Sequence, residues 1–408
     1  MKTKSMTPLG VIFLTVVIMV MGVANGHTPI PFYSADLVVR TTEGPVQGHF
    51  DVPNGGSIVY RGIPYAESPP GRFQAPKPPL DRGDTLYDAR NFASPCLQKD
   101  FSDNGVLKGS ADCLYLNVWV PGGEDNSKRF KHSRLGRRPV VIAFHDGFQA
   151  FGSGNDSSII GNIFAFEESA IWVTINHRLG PWGFLALSDL SVHSDCPSGA
   201  YGTLDQIQAI KWIHANINRF GGDPGKMTLY GVGGGAVSVA TLLTYPKFIK
   251  HGIRFKSAIM ESPYVLWQKT LSQAQSESEI KFNSNINCAG LGFTNLADCA
   301  KNITDQQLCE TIYPVGNPFP GYAPGSPFAP YNFYDHIYMA PIGAVTTKSV
   351  LQVLKTCPPD TDVAIVLGHS LNESLWYSNS VFPRSPALID ATVRPMIVEF
   401  LKRLYPTE

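Results

Sequence analysis

The chain has 408 residues, 43% of them hydrophobic, with 33 Lys plus Arg matched by 33 Asp plus Glu. That is enough apolar material for one large core or two smaller ones. The zero formal net charge excludes the basic excess that a nucleic-acid partner would require, and the sequence carries no cofactor-binding or metal-ligand motif.

Lys2 and Lys4 form a short basic start, followed by the apolar run "LGVIFLTVVIMVMGV" over 9–23 and the small residues "ANG" over 24–26. This order predicts a signal peptide over residues 1–26, cleaved after Gly26. The alternative is an uncleaved signal anchor, for which the run is short. No later segment reaches transmembrane length, so the expected mature chain, 27–408, is one secreted, soluble domain with no membrane span. Seven cysteines suit an oxidising compartment, and the odd number leaves at least one thiol free or joined to another chain. Sequons at Asn155, Asn302 and Asn372 agree with passage through the secretory route.

Further along, short apolar runs alternate with helical patterns. "RPVVIAF" (138–144), "AIWVTIN" (170–176), "KMTLYG" (226–231), "FKSAIMES" (255–262) and "DVAIVLG" (362–368) read as buried strands. Between them, 202–221 places Leu204, Ile207, Ile210, Ile213 and Ile217 at helical spacing. The alternation predicts an α/β fold with a mostly parallel sheet flanked by helices. Ligands in such sheets bind at the carboxyl ends of the strands, here the turns after 144, 231 and 368. The Pro/Gly-rich stretches 121–138 and 314–330 read as surface loops. Residues 385–405 read as an amphipathic helix kinked at Pro395.

Several stretches then point to a family. "YRGIPYAESPPGRFQAPKPP" (60–79), "ADCLYLNVWVP" (111–121), "NHRLGPWGFLAL" (176–187) and "YGTLDQIQAIKWIHANINRFGGDPGKMTLYG" (201–231) run in one order with "FKSAIMESP" (255–263) and "VLGHSLNES" (366–374). The chain resembles the type-B carboxylesterases, which include cholinesterases and neuroligin-like adhesion proteins. The resemblance implies the α/β-hydrolase fold and pairs Cys96 with Cys113 and Cys288 with Cys299. Cys196, Cys309 and Cys357 stay unassigned.

The resemblance also implies acyl transfer by a serine, a histidine and an acid, with backbone N–H groups holding the oxyanion. In "LYGVGGGAVS" (229–238), Gly233 stands where the serine of G-x-S-x-G belongs. Glycine has no nucleophilic atom, and Ser238 lies more than a helical turn away. The family histidine follows the acid by about a hundred residues, whereas 374–408 contains none; His369 reads as a loop residue. Glu373 falls at the acid position with nothing to orient, inside the Asn372 sequon, so a glycan there and a buried enzyme-like pocket exclude one another. The family stretch H-G-G-G appears as His145-Asp146-Gly147-Phe148. Gly147 and Gly234 keep N–H donors as oxyanion-hole remnants, Phe148 adds a ring, and Asp146 opposes developing negative charge. The tryptophan that holds choline in cholinesterases is missing, with Phe101 the one aromatic between Cys96 and Cys113.

Family members continue well beyond the acid, so the sequence predicts a sheet lacking its last strand and helices. A partner covering that edge, an incomplete gene product and a poorly stable protein all remain open. The reading these residues favour is a catalytically inactive family member that binds an extracellular protein. The alternatives are a rearranged enzyme, a hydrophobic-ligand carrier, and a partial or degenerate gene product.

Overall fold

The computed structural model describes residues 37–51, 56–100, 106–122, 137–161, 165, 170–190, 198–245, 247–263, 271–311 and 363–368. The segment 1–26 read as a signal peptide, Phe101, Cys196, Cys357, His369, Asn372, Glu373, the stretch 314–330 read as a loop and the helix read over 385–405 lie outside them.

The main sheet contains eight strands: β1 (His49–Asp51), β2 (Ser57–Pro64), β3 (Tyr115–Val120), β4 (Arg138–Phe144), β5 (Ile171–Ile175), β6 (Gly222–Val232), β7 (Phe255–Glu261) and β8 (Ala364–Gly368). Their spatial order is β8-β7-β6-β4-β5-β3-β2-β1. From β8 through β5 the pairings are parallel; from β5 through β1 they are antiparallel. The strands read from sequence all belong to the parallel part. The antiparallel part comes from the amino-terminal third, where β2 and β3 sit inside stretches that carried the family resemblance.

Burial explains why β4 and β5 read as continuous apolar runs. All five residues of β5 and the last five of β4 are buried, because both faces of this part of the sheet are covered. Each fully buried Val, Ile, Leu or Phe contributes about 1.5–3 kcal/mol. On one face lies α2 (Tyr201–Asn216), whose Ile207, Ile210 and Ile213 enter the main core while Leu204 is only half-buried. Ile217 continues the stripe into a short 3-10 turn ending at Phe220. The fold is therefore α/β with a mixed sheet.

A second core gathers around α1 (Gly180–Phe184), α4 (Leu271–Asn285), α5 (Leu296–Asn302) and α6 (Asp305–Glu310). The disulfide Cys288–Cys299 lies in it, and Cys96–Cys113 staples the main core. Cys309 is a free thiol. Burial pushes it up to about 11, so at neutral pH it is a small apolar side chain rather than a nucleophile. Among the described residues no helix is long and apolar enough to cross a membrane, and no cluster of His, Cys, Asp or Glu could hold a metal ion.

Candidate functional site

The carboxyl ends of β4, β5 and β6 converge, as expected of an open parallel sheet. Strand β6 ends at Val232, Gly233 turns the chain, and α3 (Gly234–Leu243) leaves at once. Gly233 adopts φ 51°, ψ −113°, a conformation costly for any residue with a Cβ. Its N–H donates to the Glu261 carbonyl at 2.8 Å, and its own carbonyl accepts from Val237 N–H at 3.1 Å, so the turn is pinned on both sides. Gly235 allows α3 to approach the end of β4, since a Cβ there would collide with the carbonyl of Phe144.

The loop after β4 lies over this turn. Gly234 N–H donates to Asp146 Oδ1 at 2.7 Å. A Cβ on Gly233 would overlap the same carboxylate, 2.5 Å from its Cγ and 2.7 Å from Oδ2. The Asp146 side chain thus stands where a side chain at 233 would project, with its charge at the positive end of α3. The loop closes tightly: Ala150 and Phe151 N–H both donate to the Gly147 carbonyl. Phe148 and Gln149 follow one another in left-handed backbone, φ 55° and 62°. Two such residues store about 1–3 kcal/mol each. The Phe148 and Phe151 rings pack against the second core.

Beneath the loop Ser238 is nearly inaccessible, 1% exposed. Its hydroxyl accepts from Gln206 Nε2 at 2.9 Å and Gln149 Nε2 at 3.3 Å, and donates to the Gly234 carbonyl at 3.2 Å. One donor and two acceptor positions exhaust a serine hydroxyl. No lone pair remains for an incoming carbonyl.

Behind the site Arg178 forms a fork on Asp205. Nε donates to Oδ2 at 2.8 Å, Nη2 to Oδ1 at 2.7 Å, and the Arg178 backbone N–H to Oδ2 at 3.0 Å. Burial pushes the Asp205 carboxyl up, and the Arg178 guanidinium opposes that shift. The pair ties the β5–α1 connection to α2.

The sequence-read residues thus divide into groups. Gly147, Phe148, Gly233 and Gly234 come together around Asp146. Ser238 lies below them and points to glutamines. Asn155 and Asn302 are exposed. Sequence reasoning named Asp146 as an unfavourable charge but did not see its bond to Gly234. It missed Gln149 and Gln206 altogether, because glutamines carry no pattern until the helix and loop meet. It also missed the stacking of His145 on His177, two histidines separated by a whole β-unit.

The mixed sheet with its parallel run of five strands, its helices and the strand–turn–helix at 229–243 define an α/β-hydrolase fold, and the comparisons with known proteins agree. The carboxylesterase family matches residues 35–401, and the chain belongs to that family. It is 37% identical over 247 residues to para-nitrobenzyl esterase of Bacillus subtilis, an alignment covering 59% of this chain and 46% of that protein. It is 30% identical over 333 residues to venom carboxylesterase-6 of Apis mellifera, covering 77% of this chain and 55% of that one. A PNB esterase structure superposes with a TM-score of 0.65 at 26% identity, covering 90% of this chain and 69% of that chain. The chain spans about half the length of these curated relatives.

Proposed function

We propose that this chain is a secreted carboxylesterase-family protein that is catalytically silent and works by binding an extracellular protein. The observation that carries the reading is the Asp146 carboxylate lying over Gly233 and taking the Gly234 N–H. An esterase needs a nucleophile at that point and an unoccupied donor beside it. Here a carboxylate accepts from the donor and places negative charge where an oxyanion would form. The saturated hydroxyl of Ser238 supports the same reading. Secretion rests on the segment 1–26, and glycans at the exposed Asn155 and Asn302 fit the secretory route; a third site at Asn372 belongs to the same proposal.

The test is ester turnover with p-nitrophenyl acetate and butyrate, run beside labelling by a serine-directed fluorophosphonate. The expected result is no rate above the buffer reaction and no label. Turnover that the phosphonate abolishes overturns the silent reading. Secretion is read separately, from amino-terminal sequencing of protein in the culture medium, which is expected to begin at His27. Labelled protein binding to cells in a trypsin-sensitive manner is the expected sign of a protein partner; binding unaffected by trypsin counts against one.

A further inference from the structure

At the ends of β4 and β5, beneath the Asp146 loop, two imidazoles are stacked. His145 and His177 are 3% and 2% exposed. Their ring centroids are 4.9 Å apart and their planes 22° from parallel. His145 Nδ1 lies 2.6 Å from the Asp146 carbonyl, which can only accept, so Nδ1 carries the proton and Nε2 keeps a bare lone pair. That Nε2 and both ring nitrogens of His177 have no hydrogen-bond partner among the described residues. The Phe184 ring stands edge-on to His177 at 6.5 Å. Near-parallel rings do not aim their lone pairs at a common point, so the pair does not form a metal site.

Buried nitrogens without partners are costly, and a buried charge with no bonded counter-ion is costlier. The charged groups facing the pair do little to supply one. Asp146 and Asp156 favour a charge on His145, but neither carboxylate bonds to the ring. Asp146 is held by Gly234, and Asp156 Oδ2 accepts from Ser153 N–H at 2.9 Å. Arg178, next to His177 in the chain, is engaged by Asp205. Each histidine also opposes a charge on the other. Burial dominates, and it holds both rings below the ordinary histidine range.

We propose that the His145–His177 stack is a proton-operated latch: closed while both rings are neutral, and forced open when His145 Nε2 or His177 takes a proton, releasing the loop 145–152 that holds Asp146 over the Gly233 turn. Because the folded-state values lie below the ordinary 6.5, the stack's contribution is complete above that pH and is lost as the pH falls beneath it. The opening is independent of whether the protein hydrolyses esters.

The test is backbone hydrogen exchange of residues 145–152 and Gly234 in the full chain, at about pH 7.5 and about pH 5.5, corrected for intrinsic rates. Between these values an ordinary histidine gains its proton. The wild-type loop is expected to exchange about tenfold faster at the lower pH, the effect of about one pKa unit of linkage. His177→Phe, which keeps a ring but cannot titrate, is expected to reduce the difference to the share that His145 alone carries. His49 and His214 are also held low by burial, but they act equally in both proteins. Carbon-2 proton exchange of His145 and His177 in the wild type gives each apparent value directly, even if the variant does not fold. Either ring titrating at or above 6.5, or loop protection unchanged by acid, overturns the proposal.

Discussion

The Asp146 carboxylate and the Gly234 amide are joined by a 2.7 Å hydrogen bond at the first turn of α3. In α/β-hydrolases the amide after the nucleophile position faces the reacting carbonyl oxygen; on the function proposed above, the bond puts a protein anion in that place. Asp146 is in effect an N-cap supplied from a distant loop. Replacing it by Ala removes an acceptor from an otherwise orphaned helix amide and a charge from the positive helix end. Asp146→Ala is expected to lower stability by about 1–2 kcal/mol. Asp146 is exposed, so part of the effect should fade in high salt; urea melts at low and high ionic strength would show this, and an unchanged midpoint would refute the capping role.

Gly233→Ser tests whether the turn can be returned to a nucleophile. The new Cβ must occupy space held by the Asp146 carboxylate and adopt φ 51°. The single variant is expected to lose about 1–3 kcal/mol. Adding Asp146→Gly should recover part of that loss by relieving the overlap. If the two changes are strictly additive in thermal melts, Asp146 does not compete with a side chain at 233 for the same space.

The buried Arg178–Asp205 fork should behave as buried ion pairs do. Removing either partner leaves an uncompensated buried charge, and Arg178→Met or Asp205→Leu is expected to cost about 3–5 kcal/mol. The double variant should cost clearly less than the two singles together. A chemical-denaturation cycle reads the coupling, and a coupling near zero would show that solvent reaches the pair.

Ser238→Ala separates structure from chemistry. The substitution strands the Gln206 and Gln149 amides in a buried space, so a loss of about 1–3 kcal/mol is expected. Whatever ester turnover the protein shows should not change. A drop in turnover with stability intact would make Ser238 a nucleophile after all.

Sequence pattern located β4, β5, β6, β7, β8 and α2; β4 and β5 are buried on both faces, which writes continuous apolar runs into the chain, while β6 and β7 alternate buried and half-buried residues. It did not mark β2 and β3 as strands, since Gly62 and Asn117 interrupt their runs. Asn117 is nonetheless buried, its side-chain carbonyl accepting from Gly62 N–H at 2.9 Å. A polar residue at a core position is intelligible only once its partner on the neighbouring strand is in view. The disulfide pairs followed from family order, not from spacing, because spacing alone permits many connectivities.

The sequence by itself determined the family, the parallel strands and the chemical identity of Gly233, since each depends on residue types in local order. Tertiary structure decided what those residues do. It laid the Asp146 carboxylate over Gly233, saturated the Ser238 hydroxyl with two glutamines, and stacked His145 on His177. Each of these joins groups dozens of residues apart, and a hydrogen bond or ring contact is decided within a few tenths of an ångström. Local propensity carries no information at that range; only the packed ends of β4, β5 and β6 supply it.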